Sequence, residues 1–280
     1  MLPEEKLKRN PGFLFARKKV RSNKYMYKYY VTARMSAQEQ TNGGIIYSLP
    51  TLLLKICTLI PLLFLWKTIM SSGAKVEMSL PQMLSYTFLS SILADMLVVK
   101  TAASGWLSEG VLLKLYGRPF SVLGQLVAQT VGGWVPMLLL YSLPVLFLAP
   151  LLGVRLIPAS PAFFPSLLLC VSLGFAIDFL FACLSIRMRN FNWLIERIRG
   201  AIIVILSGTI IPIRFLPFGL ANVMKYQPFA AMGGSPLSIF VGAGDVREIL
   251  ILQIAWNLLL WPAAILAFKK SQERMVSYGG

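Results

Sequence analysis

Apolar residues in this chain gather into long runs covering residues 45–70, 81–103, 122–148, 163–186, 200–213 and 246–268, with short polar or basic stretches between them. A helix on the surface of a soluble domain is apolar on one stripe only. These runs are apolar all round, and most reach the roughly 20 residues that cross a hydrocarbon core. The predicted fold is all-α and integral to a membrane, with six transmembrane helices. Pro136 and Pro144 fall inside the third run and predict a kink there. The fifth run, 200–213, is short for a crossing. The stretch after it, 214–244, is apolar but interrupted by Pro217, Pro228, Pro236 and several glycines. It is too apolar for a solvated loop and too broken for one span. Two short helices, forming a re-entrant outer hairpin before the last span, are expected, because non-helical backbone at membrane depth must be shielded by protein.

Ahead of the first run, Met26, Tyr29, Tyr30, Ala33 and Ala37 share one helical face, while Lys24, Lys28 and Arg34 suit the polar side. Residues 25–40 are therefore expected to form an N-terminal amphipathic helix in the membrane interface, ended by Gly43 and Gly44. Residues 1–24 carry Pro3, Pro11, Gly12 and the cluster Arg17, Lys18, Lys19 and Arg21. They are expected to be a basic cytoplasmic tail, with 25–280 as one membrane domain. The basic stretch before the first run exceeds a whole secretory signal of about 15–30 residues, so that run is expected to stay in the membrane. A further amphipathic stretch, 104–120, is too polar to cross lipid. Trp106, Leu107, Val111, Leu112 and Leu115 cluster on one side of it, with Ser108, Glu109 and Lys114 as the polar positions.

Composition agrees with lipid as the solvent. Of 280 residues, 56% are hydrophobic and 14% charged, and the mean hydropathy is +0.69; soluble domains carry about 25% charged residues. The net charge of +16, from 27 Lys+Arg against 11 Asp+Glu, could suggest nucleic acid. Its placement argues otherwise, since ten of the 27 precede residue 45 and most others flank apolar runs. With the N-terminus inside, the inner segments hold 19 basic residues and the outer ones five, which sets both termini in the cytoplasm. There is no His, and Cys57, Cys170 and Cys183 all lie within apolar runs without metal-ligand spacing. No catalytic residue and no metal site is expected.

Three ionisable residues lie inside runs. Lys55 is 15 residues before Met70, Asp95 is 14 after Pro81, and Asp178 is 15 after Phe163. At about 1.5 Å per residue they share one depth, toward the inner leaflet. Intramembrane charge is costly and tends to be paired or functional. Lys55 and Asp95, on neighbouring helices, form the natural pair. Three readings stay open: a structural pair, a polar lining at the base of a substrate cavity, to which Asp178 would belong, or a proton relay.

The order of these features, with the runs GWLSEGVLLKLYGRPFSV (105–122), LSGTIIPIRFLPFGL (206–220), YQPFAAMGGSPLSIFVG (226–242) and the closing ILQIAWNLLLW…GG, resembles the type-2, export-type permease subunits of ATP-binding-cassette (ABC) transporters. The branch it resembles has paired permease genes, and the resemblance covers about 25–280. It implies that 104–120 is a coupling helix docking on a cytoplasmic ABC ATPase dimer, with Trp106, Leu107 and Leu112 as the ridge and Glu109, Lys114 and Arg118 at its rim. It also implies a second, related permease chain as partner, contact with membrane lipids, a plasma-membrane location and outward movement of an amphiphilic substrate that is lipid-, peptide- or drug-like. No GxxxxGK[ST] phosphate loop occurs, so ATP and Mg would be bound by the partner. The competing expectation is a non-pumping channel or assembly scaffold.

Overall fold

The computed structural model describes residues 11–42, 44–72, 78–103, 113–188 and 191–278, and all of their regular elements are helical. Four helices are long and apolar enough to cross a membrane, over Leu52–Ser71, Val122–Leu146, Phe163–Ser185 and Val246–Ser271. We number the α-helices α1 Pro11–Thr41, α2 Gly44–Ser71, α3 Leu80–Ile92, α4 Ala94–Leu97, α5 Leu113–Tyr116, α6 Val122–Met137, α7 Leu143–Leu146, α8 Phe163–Arg187 and α9 Asn192–Leu206. Short helices α10 Leu220–Met224, α11 Pro228–Met232 and α12 Gly234–Phe240 precede the final α13 Val246–Tyr278.

Helix α1 starts earlier than the expected residue 25. Pro11 suits a first helical turn, where a missing N–H costs nothing, and the basic run behind it contains no helix breaker. The helix lies along α6. A β-carbon at Gly132 would collide with the backbone of Ala33, so only glycine lets the two helices approach this closely. The expected lipid-facing stripe is corrected accordingly: Ala33 faces α6, whereas Met26 and Tyr30 point outward.

The second apolar run is not one helix. Ser79 and Gln82 start α3 by pairing, the Ser79 N–H donating to Gln82 Oε1 at 2.9 Å. Helix α3 stops at Ile92, Leu93 turns away from helical geometry, and after α4 the chain extends from Val98. Each backbone group freed by that break needs a partner. Ser142 Oγ donates to the Ile92 carbonyl at 2.9 Å. That serine sits in a π-helical turn, Leu138–Ser142, between α6 and α7. The wide turn has its own cause: Pro144 has no N–H to give, and its ring would clash with the carbonyl four residues back.

Helix α8 is the centre of the bundle, with 56% of its most apolar window buried against 11–33% for the other three candidate spans. Helix α13 runs beside it in the same direction, tied by a ladder of side chains four residues apart. Gln253 Nε2 donates to Ser166 O at 3.2 Å, Asn257 Nδ2 to Leu169 O at 3.1 Å and Trp261 Nε1 to Ser172 Oγ at 2.9 Å. Such interhelical bonds hold helices where lipid supplies no hydrophobic drive. Parallel neighbours require the chain between them to return along α8, and α9 begins that return. It starts beside Lys100 and ends where Tyr86 Oη donates to Gly208 O at 2.6 Å. The fifth helix is therefore displaced from the expected 200–213 to Asn192–Leu206, and the stretch from residue 213 to Phe240 folds into short helices at that end.

Candidate functional site

The most constrained polar cluster joins α8, α9 and the extended stretch after α4. Asp178 Oδ1 lies 2.9 Å from Arg199 Nη2, with both side chains at least nine-tenths buried. Asp178 Oδ2 accepts from the Thr101 N–H at 3.0 Å and from the Thr101 hydroxyl. Arg199 also donates to the carbonyl of Val99. The two charges thus satisfy each other and the backbone that lost its helix. One turn before Asp178, Gly174 leaves the space that Val99 enters; a β-carbon there would stand 2.6 Å from the valine side chain. At the edge of the cluster Lys100 Nζ meets Glu196 Oε2 at 2.9 Å. Residues 98–101 are held as a clamp between two helices.

Helix periodicity explains why a guanidinium is buried here. Ile195, Arg199 and Ile203 are four residues apart and form the inward stripe of α9, each under a tenth exposed. Arg199 must face the core, and a core arginine needs an acid. The fifth run was read from residue 200, which left Arg199 in the basic stretch before it and hid the clamp. The Ile195–Arg199–Ile203 spacing was the signal available. Thr101 carried none.

The structure brings Lys55 and Asp95 together at 3.1 Å, with side chains 21% and 44% exposed. Lys55 also sits 5.7 Å from the Tyr141 ring. Asp95 opens α4, so the break after Ile92 sets its position. Asp178 stands apart from this pair, in the clamp. Of the expected coupling segment, Trp106, Leu107, Glu109 and Leu112 lie outside the described residues, as does the side chain of Lys114. Arg118 is exposed in the turn after α5. The far end of the segment is fastened to α6: Gln125 Nε2 donates to Leu115 O and Phe120 O, both at 3.0 Å. Tyr29 of α1 packs edge-on to Phe120, with ring centroids 5.2 Å apart.

Two cavities away from these charges differ in character. One, of about 410 Å³, lies between α2, α3 and the end of α9, with Leu59, Leu62 and Val204 as apolar walls and Thr58, Thr87 and Ser91 as hydroxyls. Thr87 Oγ1 is buried without a hydrogen-bond partner, and no charged side chain lines the space. It suits a ligand that is mostly apolar with a few acceptors. The other, of about 310 Å³, lies among α10 to α13 and is polar, with Arg214, Lys225, Asp245 and Glu248 on its walls. Lys225 Nζ meets Glu248 Oε1 at 2.7 Å, and this bond raises the lysine pKa above its ordinary value. Among the described residues, no group of three or more His, Cys, Asp or Glu could hold a metal ion. No protein-family model, no curated protein and no solved structure matches the chain.

Proposed function

We propose that the chain is the membrane permease subunit of an ABC-type exporter, driven by a separate cytoplasmic ATPase. In this reading it crosses the membrane six times, the four long helices supplemented by α3–α4 with its extended continuation and by α9. Both termini are cytoplasmic, and 213–240 is a re-entrant outer hairpin. The observation that carries the reading is how 104–120 is mounted. It leaves directly from the clamped stretch held by Asp178 and Arg199, and it ends on α6 through Gln125. A segment anchored at both ends to core helices would transmit a push from a docked ATPase to the spans as levers. The parallel course of α8 and α13 supports the return crossing between them.

The uncharged cavity beside α2 and α9 supports an amphiphilic substrate over an ion. Apolar side chains stand outward on both helices, among them Leu53, Leu54, Val204 and Ile205. They suit lipid or the second permease chain. The test is reconstitution of this chain with its second permease and an ATPase carrying a phosphate loop, followed by uptake of fluorescent amphiphiles into inverted vesicles. ATP-dependent uptake that needs all three chains supports the proposal. Uptake without ATP, or the passage of ions instead, would assign a channel.

A further inference from the structure

A groove of about 680 Å³ opens at the end of the bundle where α3 begins and the chain enters α8. Its walls are mainly Pro81, Leu156, Ile157, Pro158, Phe240 and Val241. The polar side chains in the lining are occupied elsewhere, with one exception. Gln82 accepts from the Ser79 N–H and donates to Val241 O at 2.9 Å. Ser85 Oγ donates to Pro81 O at 2.7 Å and accepts from the Arg155 N–H at 2.9 Å. The exception is the Arg155 guanidinium, which is exposed and has no acidic partner among the described residues.

The depth of the groove follows from its neighbours. One candidate span ends at Leu146 and the next begins at Phe163, so the connection carrying Arg155 lies at their shared end. There hydrocarbon gives way to headgroups. Leu151 and Ile157, on the same connection, are 83% and 85% exposed, as side chains immersed in acyl chains would be. An arginine at this level reaches toward the headgroups along an apolar stem.

We propose that this groove seats an acyl chain of an anionic phospholipid while Arg155 binds its phosphate. The guanidinium matches phosphate with paired N–H donors. The lining contains no carboxylate, so the ammonium of a zwitterionic headgroup would find no partner, and selection falls on lipids with net negative charge. The volume lies within the range of ligand sites. The proposal needs only membrane insertion and stands apart from the transport reading.

The experiment is native mass spectrometry of the purified chain released from nanodiscs holding equal phosphatidylglycerol and phosphatidylcholine of matched chains. The wild type should retain phosphatidylglycerol preferentially. R155Q should lose at least about tenfold of that retention, as expected for removal of charge-assisted hydrogen bonds, and R155K, which keeps the charge but not the paired donors, should fall between the two. Glycerophosphoglycerol, a headgroup without chains, should not displace the lipid. Equal retention of both lipids, unchanged retention in R155Q, or displacement by the chainless headgroup would overturn the proposal. So would preferential retention of a free fatty acid, or a dimer that closes the groove and leaves no lipid bound. Arg155 donates to Ser85 Oγ from its backbone N–H, which R155Q keeps, so the variant should fold, and a circular dichroism spectrum matching wild type verifies it.

Discussion

Replacing Arg199 by Met removes the charge opposite Asp178 while nearly filling the space. Asp178 would then be a carboxylate only 3% exposed at its side chain, keeping the Thr101 N–H and hydroxyl as partners. Breaking a buried pair from one side costs about 3–5 kcal/mol, and the two retained bonds set R199M near about 3 kcal/mol. Asp178→Leu is worse. It strands a guanidinium whose Nε already lacks a partner and leaves the Thr101 N–H unpaired, so about 5 kcal/mol is expected. The double variant buries no charge and loses the bonds that the Thr101 N–H and hydroxyl and the Val99 carbonyl made to the pair. It should cost about 2–3 kcal/mol, less than D178L alone and far below the sum of the single losses. The assay is equilibrium unfolding in mixed micelles of fixed lipid content, followed by circular dichroism. Additive losses in the cycle, or R199M within about 0.5 kcal/mol of wild type, the range of ordinary surface substitutions, would refute the reasoning.

The Lys55–Asp95 pair, more open, should show the same sign of coupling at about 1 kcal/mol or less when Lys55→Met and Asp95→Leu are combined; a coupling equal to that of the clamp would overturn the ranking. Gly132→Val should push α1 off α6, read as lost crosslinking between cysteines placed at Ser36 and Gly133, and unchanged crosslinking would mean the helices separate without cost. Lys225→Cys should react with a membrane-impermeant thiol reagent added from outside intact cells; labelling only after the cytoplasm is opened would reverse the proposed orientation.

The four long helices were legible because each stays predominantly apolar over 20 residues or more, which lipid demands. The second and fifth runs misled for a shared reason. Their breaks are stabilised by groups distant in sequence: Ser142 on the Ile92 carbonyl, Asp178 on Thr101 and Arg199 on Val99 for the second, and Gln227 on the Leu206 carbonyl and Tyr86 on the Gly208 carbonyl for the fifth. Apolar content reports what can sit in lipid, not where a remote side chain can replace a helical hydrogen bond. The early start of α1 was hidden by the weight given to a basic cluster, although charge alone does not end a helix. Depth counting from helix ends did put Lys55, Asp95 and Asp178 at one level, and the first two meet in the structure. It could not give Asp178 its partner while Arg199 was assigned to a loop. The conformation of residues 98–103 was not readable at all, since Val98, Val99 and Thr101 suit either a helix or an extended chain and tertiary bonds decide between them.

The central claim is that 104–120 couples this chain to an ATPase. Its most direct measurement is co-purification with that ATPase, together with substrate-stimulated ATP hydrolysis in reconstituted membranes, for wild type and for Trp106→Ala combined with Leu112→Ala. If the apolar ridge is a buried interface anchor, the truncated chain should bind more weakly by several kcal/mol, roughly the loss for hot-spot residues, and stimulation should disappear while the folded yield in membranes is unchanged. Binding and stimulation undiminished in the truncated chain would mean that the segment rests on lipid and drives nothing.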